Sequence, residues 1–223
     1  MERHFHEELK ELKQTLFKMG FLVEAAIDKA IDSFLMRRAA LAEEVLEEEK
    51  VINQLELEID DKGHSLSALG QPMAIDLRML TAILKINTDL ERMGDHAVNI
   101  AERALLLIKD VRLEKDVLLQ DMAQATLKMV TDALTAFTRE DVELARNVLK
   151  CDDVIDTFND DLYCQVSALM EKNPNYVRSG LNLIMVGHNL ERIADLASNI
   201  AEDVIYLKQG KEVRHQVENH LSS

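Results

Sequence analysis

Glu91 and Asp95 stand one helical turn apart in LERMGDHAVNIAE, residues 90–102, and Glu191 and Asp195 stand the same way in LERIADLASNIAE, residues 190–202. Asn99 and Glu102 complete the first stripe, Asn199 and Glu202 the second. Like charges at i and i+4 weaken a helix by roughly 0.2–0.5 kcal/mol per pair. A cation bridging the carboxylates would turn that repulsion into binding. Carboxylate and amide oxygens suit hard cations, iron and manganese, and suit zinc less well without His or Cys. The competing explanation is a solvated helix face helped by Arg92 and Arg192. Solvation, however, needs only polar residues, not the same acids, amide and spacing twice.

Further acids extend the set. Glu56 and Asp60 lie one turn apart on the flank of the apolar arc Ile52, Leu55 and Ile59, from which they can lean towards a neighbouring helix. Asp156 and Asp160 have the same spacing in the second half, although Asp156 aligns with Asn53 at the local offset. His188, one turn before Glu191, could add a ligand; Thr88 stands at its counterpart, which favours a surface histidine.

Catalytic signatures are missing. The sequence has no HExxH, no GxxxxGK[ST], no GxGxxG after a strand and no GxSxG. The di-iron bundle signature Glu-x-x-His occurs once, at Glu212–His215, unrepeated. No nucleophile–base pair can be argued from spacing, so the chain is expected not to be an enzyme.

The elements that position the acids follow from periodicity. Nine of thirteen positions are identical between the two LER segments at an offset of 100 residues. Val45-Leu46 and Val51-Ile52 match Val148-Leu149 and Val154-Ile155 at an offset of 103. The chain is thus two copies of one unit. Leu9, Leu12, Leu16, Met19, Val23, Ile27, Ile31 and Phe34 keep the spacing of one helix face. A break near residues 37–40 starts a second helix, and ALGQP at 68–72 ends it. Pro72 fits the first turn of a third helix reaching about Lys109. VRLEKD at 111–116 is the charged link to the second unit, whose helices are expected over 117–137, from a Thr138–Asp141 capping box to Asn173-Pro174, and over 179–208. With 7 Gly and 2 Pro in 223 residues, turns are few and helices long. The expected fold is all-α: six long helices in two pseudo-symmetric antiparallel three-helix bundles, residues 1–110 and 111–210, with a polar tail over 211–223.

A net charge of −15 repels nucleic acid phosphates and fits cation binding or a basic partner. Cys151 and Cys164 make no CxxC and no zinc spacing, as expected of free thiols. MERHFHEELKELK is polar, so no export signal is expected, and runs such as ALLLI are too short to span a bilayer. A cytoplasmic location is expected.

At LERMGDHAVNIAE and LERIADLASNIAE, and at MGFLVEAAI (19–27) and QPMAIDLRML (71–80), the sequence resembles the PhoU family of bacterial phosphate-uptake regulators over about residues 5–210. The resemblance implies two three-helix bundles carrying Glu/Asp-xxx-Asp motifs, at which some members hold iron or zinc. Glu91 and Asp95, and Glu191 and Asp195, match those motifs; Glu56 and Asp60 look like the first unit's partner motif, and Asp156 and Asp160 are the second unit's candidates. It also implies a negative regulator of the phosphate-starvation response. Such a protein would be an adaptor between the ATPase subunit of a Pst-type phosphate ABC transporter and a membrane sensor histidine kinase. A homodimer is the expected assembly. Three alternatives stay open: a metal-dependent enzyme, a plain helical scaffold, and an accessory protein of another phosphate transporter.

Overall fold

The computed structural model describes residues 2–69, 74–108 and 117–210. Six helices follow in order: α1 (Glu2–Met36), α2 (Ala39–Leu69), α3 (Ala74–Leu107), α4 (Val117–Arg139), α5 (Val142–Lys172) and α6 (Val177–Gln209). A 3₁₀ turn, Pro174–Tyr176, separates the last two. Pro72, the 111–116 link and the 211–223 tail lie outside the described residues.

The α1 stripe is inward as its periodicity requires: Leu12, Leu16, Met19, Val23 and Ile27 are all buried. α1, α2 and α3 pack on one another as one bundle, and α4, α5 and α6 as a second. The bundles are joined chiefly along α3 and α6, with α1 against α4 beside them. Two polar pairs cross the α3–α6 seam. Lys85 Nζ lies 2.9 Å from Asp203 Oδ1, and His96 Nδ1 lies 2.9 Å from Asn189 Oδ1. Asp203 is 4% exposed, so its lysine holds a charge that burial would otherwise penalise.

The first turn of each bundle is made the same way. Arg37 (φ 53°) and Glu140 (φ 52°) take the left-handed conformation. The next residue's N–H then reaches back five residues, Arg38 to the Ser33 carbonyl (3.0 Å) and Asp141 to that of Ala136 (2.9 Å). This closes both helices without a glycine. It also corrects the expected capping box. Thr138 stays inside α4 and donates to the Leu134 carbonyl at 2.7 Å. Asp141 alone caps α5, its Oδ1 accepting from the N–H groups of Glu143 and Leu144 at 3.0 Å each.

Candidate metal centre

Each acidic stripe on α3 or α6 meets a second row of oxygens across a helix–helix groove. On α2 the facing residues are Glu49, Asn53 and Glu56; on α5 they are Asp152, Asp156 and Asn159. The stripes are therefore not turned wholly to solvent, as a solvated helix face would be. Glu91 and Glu191 are half-buried, because the groove shields one side of the acid face.

In the first cluster, burial, then Asp95 and Glu56, push the Glu91 carboxyl above the ordinary glutamate range; Arg92 pulls the other way. Burial and then Glu49 raise the Asp95 carboxyl, with His96 opposing. Asn53 donates from Nδ2 to Glu49 Oε1 at 3.0 Å, leaving its buried Oδ1 without a donor among the described residues. A buried acceptor with no proton to accept, among carboxylates already repelling one another, is what a cation would satisfy.

In the second cluster, burial again leads. It raises Asp195, with Glu191 adding and Arg192 opposing, and it raises Asp156, with Glu191 and Asp195 adding. Asp152 is raised by burial although Ser198 Oγ donates to it at 3.0 Å. Asn159 Nδ2 lies 3.4 Å from Glu191 Oε2, and His188 Nδ1 meets the same oxygen at 2.8 Å. Arg192 donates to Asp195 Oδ2 at 3.0 Å. Gly187 lets α5 approach: a Cβ there would lie 2.5 Å from Leu162 Cδ2 and 3.2 Å from Asn159 Oδ1. A cleft of about 360 Å³ opens beside this cluster, lined by Arg92, His96, Asp152, Asp195, Asn199 and Glu202 among others.

Of the residues singled out by spacing, Glu91, Asp95, Glu56, Glu191, Asp195 and Asp156 come together in these two grooves. Asn199 reaches the cleft, whereas Asn99 is exposed on α3. Asp60 turns along its own helix to His64 Nε2 at 3.4 Å. Asp160 is exposed and touches the cluster only as a weak repulsion on Asp156. At the local offset of 103 the second-unit counterpart of Glu56 is Asn159, and Glu49 pairs with Asp152. Glu49 and Asp152 were the omission. Continuing the α2 and α5 rows one turn backwards from Asn53 and Asp156 would have found them.

The donor set suits a hard cation or iron in type. Among the described residues, no three His, Cys, Asp or Glu side chains converge as they stand.

A PhoU domain model matches residues 16–104 and again 119–204. The chain is 38% identical over 212 residues to the Thermotoga maritima phosphate-specific transport system accessory protein PhoU homolog 1, covering 95% of this chain and 91% of that one. It is 40% identical over 210 residues to the Aquifex aeolicus homolog, covering 94% and 95%. The crystal structure of PhoU from Pseudomonas aeruginosa superposes with a TM-score of 0.91 at 36% identity, over 93% of this chain and all of that one. The crystal structure of the phosphate transport system regulatory protein PhoU from Streptococcus pneumoniae gives 0.87 at 32% identity, over 94% and 99%.

Proposed function

This chain belongs to the PhoU domain family, and from that premise we propose that it is a non-catalytic accessory regulator of a phosphate-specific transport system. The observation that supports this reading is the match of both units to the PhoU domain, and of nearly the whole chain to proteins named as phosphate-specific transport system accessory proteins. In the finer form of the proposal it restrains the phosphate-starvation response when phosphate is plentiful. It does so in the cytoplasm, as a homodimer linking the ATPase subunit of a phosphate ABC transporter to a sensor histidine kinase. No helix among the described residues is long and apolar enough to cross a membrane, so contact with the bilayer would come through those partners.

The two grooves supply the mechanism. Glu49, Glu56, Glu91 and Asp95 would hold a cation in the first, and Asp152, Asp156, Glu191 and Asp195 in the second. A bound cation offsets the carboxylate repulsion. The residues themselves then fix the spacing of α2 against α3 and of α5 against α6, and present a less negative surface to a partner. Charge at that surface steers encounter and selects partners more than it sets affinity.

The test is a strain lacking the gene, grown in abundant phosphate with an alkaline phosphatase reporter. The reporter should be on, and the wild-type gene should silence it. A variant carrying Glu91→Gln and Glu191→Gln should silence it poorly. A reporter that stays off, with no second copy of the gene present, sinks the regulatory reading.

A further inference from the structure

We propose that the cavity where α1, the start of α3, the α4–α5 turn and the end of α6 converge binds an organic phosphate, a nucleotide being the simplest example. The cavity encloses about 500 Å³ and shares no residue with either acidic cluster. That volume lies within the range of small-molecule sites, about 300–1,000 Å³.

Its charge runs against that of the chain. Net charge is −15, yet Lys10, Lys13, Arg78 and Lys208 line the cavity with only Asp76 and Glu140 as carboxylates. Glu140 is shared, 2.6 Å from Lys208 Nζ and 3.5 Å from Lys13 Nζ. Asp76 faces His6 at 3.7 Å. Among the described residues two cations stay uncommitted: Lys10 makes no ion pair, and Arg78 buries its Nε with no hydrogen-bond partner.

An unpartnered buried guanidinium nitrogen costs more than an exposed one, because burial removes the water that would satisfy it. A guanidinium fork matches phosphate oxygens in a bidentate way, and flanking lysines add point charge. Several cations in one cavity favour a multiply charged head over a single carboxylate. The remaining wall is apolar: Leu9 and Leu207 are buried beneath it, and Ile75 stands 64% exposed at its mouth. Inorganic phosphate would leave that wall uncovered. A phosphate carried on an organic body covers both parts.

The experiment is calorimetric titration of the full chain with ATP, AMP and pyrophosphate. EDTA is present so that magnesium on the acidic grooves contributes nothing. One nucleotide per chain should bind, with ATP about tenfold tighter than pyrophosphate. Arg78→Ala should weaken ATP about tenfold, and Lys10→Ala by less. Lys62→Ala, in an exposed pair with Glu58 on α2, should change nothing. Because Arg78 is half-buried, Arg78→Lys serves as the folded comparison; it keeps the charge and loses the fork, so it should weaken binding by an intermediate factor. No binding of either nucleotide at millimolar concentration overturns the proposal. So does nucleotide binding that Arg78→Ala and Lys10→Ala leave intact, or pyrophosphate binding as tightly as ATP. These outcomes are independent of the starvation reporter, so the site and the regulatory reading fail separately.

Discussion

A divalent cation should separate the stabilities of the wild type and a variant with neutralised grooves. The variant carries Glu91→Gln, Asp95→Asn, Glu191→Gln and Asp195→Asn. In chelator it loses two i,i+4 repulsions of roughly 0.2–0.5 kcal/mol each. It also loses the Arg192–Asp195 pair, 3.0 Å long between half-exposed side chains, worth at most about 1 kcal/mol. The metal-free variant should therefore stay within about 1 kcal/mol of the wild type, some 2–4 °C for a chain of this size. With cation at a hundredfold over its Kd, each occupied groove stabilises the wild type by about 2.7 kcal/mol. Two grooves give about 5 kcal/mol, or an upward shift of about 10–20 °C. The assay is scanning calorimetry of both proteins in EDTA and then with Mn²⁺, Zn²⁺ or anaerobic Fe²⁺. Equal shifts in the two proteins, or no shift with any of the three ions, would refute the assignment of cation binding to these carboxylates.

Glu91, Asp95, Asp152, Asp156 and Asp195 all have raised folded pKa values. The native state therefore holds more protons than the unfolded one between the ordinary carboxylate range, near 4, and the raised values; stability falls as pH rises across that interval. Metal-free protein should melt lower as the pH is raised from the ordinary carboxylate range through that interval; the opposite trend in calorimetry would remove the electrostatic account of the grooves. Glu58 and Glu140, held low by lysines, lose their contribution only as pH drops through their ordinary range and below. Lys85→Met leaves the Asp203 carboxylate buried without its lysine and should cost about 1–3 kcal/mol in urea unfolding, while Lys85→Arg costs less. Gly187→Ala drives a methyl group into Leu162 and should cost about 1–3 kcal/mol, with weaker cation response in the second groove only. Asp141→Ala removes the α5 cap and should cost about 1 kcal/mol, read from the same denaturant curves.

The helix faces and the duplication were legible because each is a property of one helix. The 3–4 spacing of Leu12, Leu16 and Met19 states which side is buried without reference to any neighbour. The acids on α3 and α6 were legible for the same reason. What spacing does not encode is the rotation of α2 against α3, or of α5 against α6. That rotation admits Glu49 and Asp152 to the grooves. The two Schellman turns were hidden by chemistry. Arg37 and Glu140 accept a left-handed backbone at roughly 1–2 kcal/mol, where a glycine would have marked the place. The basic cavity was hidden too, since its lining comes from four separate stretches of the chain.

The seam between α3 and α6 also sets a timetable. Among the described residues, Lys85 and His96 of α3 find these partners on the last helix, whose Asn189 and Asp203 lie about a hundred residues downstream. At translation rates of about 5–20 residues per second, the first bundle emerges and waits some 5–20 s with that face of α3 bare. Through that interval a nascent first bundle can meet the same face on a neighbouring ribosome's product. The unlike partners chosen on the two sides, lysine for aspartate and histidine for asparagine, make such a self-pairing poorer than the one for which the chain is waiting.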